Sequence, residues 1–182
     1  MKRFLVAISF ALLGVSGCGD KPAPVAPAPP ASAAPTTTDA LGPRYEATLA
    51  EGIDFRKPGY PRNVLDVRGM SGSEPWGRWT DSTETRFTFS EPLPNSFVLE
   101  ITGGAVGPNV GKPVGVKIGG QTKSFIFSAD PFKTQPETQS VEFTSATPVY
   151  TIELQTPQLW RPTSADSREL GIALIALRVI RK

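Results

Sequence analysis

Between Gly69 and Asp81 the chain sets Glu74, Trp76, Arg78, Trp79 and Asp81 within eight residues, spaced by small residues. Indoles beside a guanidinium and two carboxylates support two kinds of chemistry. In one, Trp76 and Trp79 form a platform for sugar rings, and Glu74, Arg78 and Asp81 hydrogen-bond hydroxyls or a phosphoryl substituent. In the other, the indoles pack between sheets and Arg78 pairs with Glu74, Asp81 or Asp166 to fasten a strand to a loop. A regular strand would put Trp76, Arg78 and Thr80 on one face and Gly77, Trp79 and Asp81 on the other. The two indoles then share a surface only if Pro75 or Gly77 introduces a bulge. The expectation is one indole in the core and the other bordering a groove.

Two further segments offer binding groups. Gly107-Pro108-Asn109-Val110-Gly111-Lys112 carries an amide and an ammonium, Asn109 and Lys112, on a Gly/Pro frame. Loops on rigid scaffolds often bind ligands, although Asn and Gly also populate turns for purely conformational reasons. Trp160-Arg161-Pro162 precedes Asp166-Ser167-Arg168 in a long connection. Trp160 and Arg161 are candidates for glycan contact, whereas Asp166 and Arg168 are candidates for an ion pair that clips the loop. The glycine-rich Gly103–Gly107 does not precede a helix, so a phosphate-loop reading is weak.

Catalysis is poorly provided for. The chain has no histidine, which removes Ser-His-Asp and Cys-His triads, His-based zinc sites and imidazole acid–base chemistry. Glycosidases need only two carboxylates, but Asp54, Glu74, Asp81, Glu100 and Asp166 are no more than a neutral domain would carry. A non-enzyme without cofactor or metal is expected.

The start of the chain reads as a leader: Lys2 and Arg3, an apolar run from Phe4 to Val15, then small residues. The run is too short for a comfortable transmembrane span. Val15-Ser16-Gly17-Cys18 resembles a bacterial lipoprotein signal, with residues 1–17 removed and Cys18 lipidated. Cys18 is the single cysteine, so no internal disulfide is available to it. More than one acyl chain gives stable anchoring, at about 0.8 kcal/mol per buried CH₂. The expected location is the cell envelope, facing the periplasm. Gly19 in place of an acidic residue favours the outer membrane. Loss of Lys2 and Arg3 takes the 19 basic residues to 17, equal to the 17 acidic ones. No basic stripe remains to track phosphates, which argues against nucleic acid.

The elements that must position these groups follow in order. Residues 18–43 form the lipidated Cys and a Pro/Ala/Thr-rich tether, extended at about 3.1 Å per residue and so reaching roughly 80 Å. Residues 44–182 are of single-domain size. Arg44–Gly52 suits a short helical turn closed by Gly52. Period-two alternation then predicts strands at Val64–Arg68, Thr85–Phe89, Phe97–Ile101, Val114–Ile118, Ser124–Phe127, Val141–Phe143 and Val149–Leu154. Gly103-Gly104 and Asp130-Pro131 read as turns, and Gly119-Gly120 as a two-residue hairpin loop. Leu170–Ile180 fits helix or strand, and the need for a central strand decides for strand. The expected fold is all-β: an antiparallel, jelly-roll-like β-sandwich with a short N-terminal helical turn.

With these residues laid out, Gly52-Ile53-Asp54-Phe55, Pro58-Gly59-Tyr60-Pro61, Gly69 to Asp81, Gly107-Pro108-Asn109 and Arg168 to Leu174 together resemble one family domain. It is the C-terminal β-sandwich of bacterial phosphoglycerol transferases that modify periplasmic glucans. Modules with the same Glu-x-Trp-Gly-Arg-Trp signature accompany some membrane glycosyltransferases. The resemblance covers nearly all of residues 45–182. It implies an accessory module, because the metal-dependent catalytic residues of the transferases lie in a separate domain with no counterpart here. The Trp-Arg-Trp motif, the resemblance and the lack of catalytic groups together lead to the expectation of a glycan-binding module, for a periplasmic glucan or a lipopolysaccharide sugar. The alternative is a structural module that docks an envelope enzyme and binds no glycan.

Overall fold

The computed structural model describes residues 41–162 and 166–182. The segment read as a leader, Cys18 and nearly all of the Pro/Ala/Thr stretch lie outside the described residues. Among those described, the strands are β1 Arg44–Tyr45, β2 Ile53–Asp54, β3 Tyr60–Pro61, β4 Val64–Arg68, β5 Arg78–Trp79 and β6 Glu84–Phe89. They continue as β7 Ser96–Ala105, β8 Pro113–Ile118, β9 Gln121–Ile126, β10 Glu137–Thr144, β11 Thr151–Gln155 and β12 Ile172–Arg181. A front sheet has the order β10-β7-β12-β2, with β5 also paired to β12; a back sheet has the order β4-β6-β11-β8-β9. Every pairing within these two sheets is antiparallel. The protein is an all-β sandwich.

Alternation explains the layering. In the back sheet Phe87, Phe89, Ile152, Leu154, Val114, Val116 and Ile118 are buried, and in the front sheet Phe97, Leu99, Ile101, Phe143, Ile172, Leu174, Leu177 and Val179 are. All belong to one apolar core. Burying each such side chain contributes about 1.5–3 kcal/mol, so the period-two pattern sets which face turns inward. β12 lies between β7 and β2 as a central strand, with a register shift between Leu174 and Ala176. Gly119 and Gly120 close the β8–β9 hairpin with φ of 54° and 80°, the left-handed pair that a primed two-residue turn requires.

Two local expectations need correction. Gly103 and Gly104 are not a turn; they lie inside β7. A Cβ at Gly103 would stand 2.1 Å from the Ala173 carbonyl oxygen, and one at Gly104 would stand 2.5 Å from the Pro131 ring. Gly103 is held to glycine by the close backbone of the neighbouring strand β12, and Gly104 by the Pro131 ring packed on the sheet. At the N-terminus Arg44–Tyr45 is a short strand pairing with β3, and only Thr48–Gly52 forms a helical turn, with the Gly52 N–H donating to the Thr48 carbonyl at 2.8 Å. Thr48 and Glu51 cap each other reciprocally in that turn, the capping-box arrangement.

Candidate functional site

The Gly69–Asp81 segment folds back on itself and docks on the start of β12. Met70 bridges Thr80, and Glu74 bridges Gly77. The Glu74 N–H donates to the Gly77 carbonyl at 2.8 Å, and the Gly77 N–H donates back at 3.1 Å. Pro75 and Trp76 are therefore the two central residues of a tight turn, where proline's fixed φ suits the first of them. Trp79 pairs with Ala173 and Arg78 with Leu174. Ser71 holds the register through its Oγ, which accepts from the Trp79 N–H at 3.1 Å.

This turn decides the question of the two indoles. Within β5 neighbouring side chains point to opposite faces, so Arg78 turns into the sandwich and Trp79 turns out. Trp76 is in the turn and not in the strand, so it comes back over Trp79 with ring centroids 5.0 Å apart, edge to face. Phe132 completes the group, 4.9 Å from Trp76 and 5.6 Å from Trp79. Trp79 is buried, Trp76 is partly buried, and Phe132 is 52% exposed. Asp130 shapes the Phe132 loop: its carboxylate accepts the Phe132 N–H, and its carbonyl accepts those of Lys133 and Thr134.

Arg78 does not pair with Glu74, Asp81 or Asp166. Its guanidinium donates to the carbonyls of Lys57 (3.3 Å) and Gly59 (3.1 Å) and to the Tyr60 hydroxyl (3.3 Å). It also lies 4.5 Å from the Tyr60 ring centroid. At 7% exposure it ties the β2–β3 segment under the edge of the front sheet and presents nothing to a ligand. Burial pushes the Tyr60 hydroxyl up to about 12, against the opposing pull of the Arg78 charge.

The other two loops arrive at the same place. Trp160 and Leu170 exchange backbone hydrogen bonds at 3.0 Å, closing the connection at its base. Leu170, Trp79, Val106 and Ala173 form a second small apolar cluster, against which Trp76 and Trp160 pack. All three tryptophans of the chain thus meet on the outer end of the front sheet. Asn109 is fully buried and structural: its amide donates to the carbonyls of Gln158 (2.9 Å) and Gly171 (3.1 Å). Trp160 lies on Gly107, where a Cβ would come within 2.6 Å of the indole. Lys112 and Asp81 are exposed.

Charged groups fix the outer part. The Trp76 indole N–H donates to Glu74 Oε2 at 2.9 Å, and Arg168 Nη1 donates to Glu74 Oε1 at 2.9 Å. Arg168 also grips Asp166, with Nη2–Oδ2 at 2.9 Å and Nε–Oδ1 at 3.0 Å. The Arg168 hydrogen bonds hold the Asp166 carboxyl below its ordinary range. Arg161 makes an exposed ion pair with Glu169 at 3.3 Å, worth little by itself. The result is an aromatic ridge, Trp76 and Phe132, whose indole orientation is locked by a carboxylate that is itself held by Arg168. Glu74 and Asp166 are committed to that clamp, which suits them for positioning more than for proton transfer. No group of three or more His, Cys, Asp or Glu side chains able to hold a metal occurs among the described residues.

Sequence reasoning missed Phe132 and Tyr60. The one signal for Phe132 was an aromatic directly after the Asp130-Pro131 turn in an otherwise polar loop. Tyr60 stood in the Pro58–Pro61 segment with no mark of its pairing to Arg78.

Comparison with known proteins identifies relatives. The family described as Domain of unknown function (DUF7024) matches residues 39–181. Phosphoglycerol transferase I of Escherichia coli O139:H28 is 27% identical over 150 residues, covering 76% of this chain and 18% of that protein. Phosphoglycerol transferase I of Salmonella arizonae is 28% identical over 148 residues, covering 75% and 18%. The match falls on the C-terminal region of the transferases. The chain thus spans under a fifth of the length of these relatives. No helix among the described residues is long and apolar enough to cross a membrane.

Proposed function

The chain belongs to the DUF7024 family, and from that premise we propose that it is a non-catalytic cell-envelope module that binds glycan through the Trp76–Phe132 ridge. The observation that carries this reading is the exposed Phe132 ring standing against an indole whose N–H is held by Glu74, in turn clamped by Arg168. A rigid aromatic edge flanked by charged hydrogen-bonding groups suits a sugar, which offers an apolar ring face and a rim of hydroxyls. The relatives are named for phosphoglycerol transfer, and the resemblance to the sandwich module of glucan-modifying transferases supplies the envelope setting of this reading. The lipidated Cys18 is the proposed anchor, with the domain facing the periplasm from the outer membrane.

Calorimetric titration of the purified chain with β-glucan and lipopolysaccharide core oligosaccharides tests the reading. Phe132→Ala and Trp76→Ala should each weaken binding about tenfold, equivalent to about 1.4 kcal/mol. Equal binding by folded variants, or no binding by the wild type, rules it out. Mass spectrometry of the mature N-terminus tests the anchor; an unmodified Cys18 ends that part.

The second reading, a module that docks an envelope enzyme, draws support from the burial of Arg78, Trp79 and Asn109, which are architecture. It predicts co-purification of a defined enzyme that Phe132→Ala abolishes while glycan titrations stay flat.

A further inference from the structure

We propose that the sandwich has a second binding surface, at the end opposite the tryptophans, where a cationic groove takes an extended acidic peptide of a partner protein. This surface lies outside the glycan-binding reading and does not depend on it.

Two cations take register positions that burial elsewhere gives to apolar side chains. Along β12, Leu177 and Val179 point into the core, and the next position of that parity is Arg181, paired with the buried Phe97 of β7. On β9, Lys123 pairs with Val116 of β8, which is fully buried. Alternation therefore directs both cations to the inner side of the sheets, and both emerge exposed at the rim. β9 and β10 are the outermost strands of their sheets. The Lys123 ammonium donates to the Glu142 carbonyl of β10, and the Gln121 amide does the same for Thr144. An inward cation on an edge strand guards against pairing with another chain. That reason covers Lys123 but not Arg181, which ends a central strand. Among the described residues Arg181 makes no ion pair and no side-chain hydrogen bond.

A groove lies in front of these groups. One part, about 390 Å³, runs between residues 92–96 and the pair Arg181 and Lys182. The other, about 240 Å³, is lined by Lys123, Glu142, Phe143 and Thr144. Ser96 and Lys182 line both parts, which makes them continuous. Three cations thus face one acid, Glu142, and Lys182 engages it at 2.8 Å. Pro92 and Pro94 stiffen one wall through their fixed φ, and Leu93 between them is anchored in the core. From Ala173, under the tryptophans, Arg181 is eight positions away along β12, roughly 25 Å at about 3.3 Å per residue. Both ends can be occupied at once.

Shape and charge select the occupant. A bilayer surface is flat and does not enter a concave groove. A nucleic acid needs a longer row of cations to hold its phosphates. A neutral sugar needs an exposed ring to stack on, and Phe143 is buried. An extended polypeptide places alternate side chains on one face, so carboxylates on that face meet Arg181 and Lys123 while its backbone lies along Asn95 and Ser96. The Arg181 guanidinium offers the paired donors that match a carboxylate. A stiff, preformed wall keeps the ordering cost of such binding low.

The experiment is fluorescence anisotropy of labelled hexaglutamate with the full chain in detergent, against hexaglutamine and a single-stranded DNA hexamer. Hexaglutamate should bind at least tenfold more tightly than either. Arg181→Gln should weaken it about tenfold with the melting temperature unchanged. Lys123→Gln, which keeps a donor for the Glu142 carbonyl, should weaken it about fivefold. Arg178→Gln, on the outer face of the same strand, and Phe132→Ala should both bind it like the wild type. The groove is overturned if hexaglutamate does not bind, if hexaglutamine binds equally, or if Arg181→Gln keeps wild-type affinity. Equal binding of the DNA hexamer, or an equal loss in Arg178→Gln, would show attraction to any polyanion and overturn it too. None of these outcomes touches the ridge, which is read by the glycan titrations alone.

Discussion

The two sheets carry different outer faces. On the back sheet the outward positions of β6, β11 and β8 hold a ladder of opposite charges: Arg86 to Glu84 at 3.0 Å, Arg86 to Glu153 at 2.9 Å and Lys117 to Glu153 at 3.5 Å. The first pair runs along β6 and the other two cross between strands; together they satisfy one another and leave a solvated surface. On the front sheet the outward positions next to the loops are small, Gly104, Thr102, Thr138 and Ala176, and that end is roofed by Trp79, Trp76, Phe132, Leu170 and Trp160. Charge closes the back face on itself. The front face carries a second apolar layer, Trp79, Val106, Leu170 and Ala173 with Trp76 and Trp160 packed on it, and Gly104 leaves room beside it for the Pro131 ring.

Substitutions can break this contrast. Trp79→Ala should have the largest effect, about 3–5 kcal/mol lost in denaturant unfolding, because the roof collapses onto Ala173 without it. A loss under about 1 kcal/mol would show that the roof is dispensable. Arg78→Met comes next, at about 1–3 kcal/mol, since the carbonyls of Lys57 and Gly59 lose their buried donor. This variant should bind glycan as the wild type does once corrected for the folded fraction.

Tyr60→Phe sharpens the inner side of the comparison through pH. The Tyr60 hydroxyl is raised by burial to about 12 from an ordinary 10.0. The folded chain therefore keeps that proton longer than the unfolded one. Its contribution is whole below about pH 10 and is lost as pH rises toward 12, on the order of 2 kcal/mol in all. Phenylalanine should flatten that alkaline slope in a melting series, and an unchanged slope would remove Tyr60 as its source. The smallest effect belongs to the back face. Arg86→Ala should stay within about 1 kcal/mol, because its ion pairs are partly exposed; a larger loss would make the charge ladder a true structural element.

Much of the fold was legible because burial on one face imposes period two, and Val114–Ile118 with Gly119-Gly120 read directly as half of a hairpin and its turn. The glycines of β7 were misread as a turn. A glycine that admits a neighbour looks the same in sequence as one that turns the chain, and the neighbours, Ala173 and Pro131, are far along the chain. The opposition of Arg78 and Trp79 followed from strand geometry. The return of Trp76 did not, since Pro75 had to be placed at the first corner of a turn. Arg78 was expected near carboxylates because charge pairing is the legible rule, whereas backbone carbonyls have no letter in the sequence. Phe132, single and aperiodic, left no pattern to find.

The gathering of Trp76, Trp79 and Trp160 at one end of one sheet has an optical consequence. The indole emission of the whole chain is a local signal, reporting on a single corner of the molecule. Tyrosines 45, 60 and 150 are distributed elsewhere, so the two kinds of chromophore address different regions without any introduced label. An emission shift that precedes the loss of strand signal on heating would show the corner opening before the sandwich; coincident changes would show the two melting as one unit.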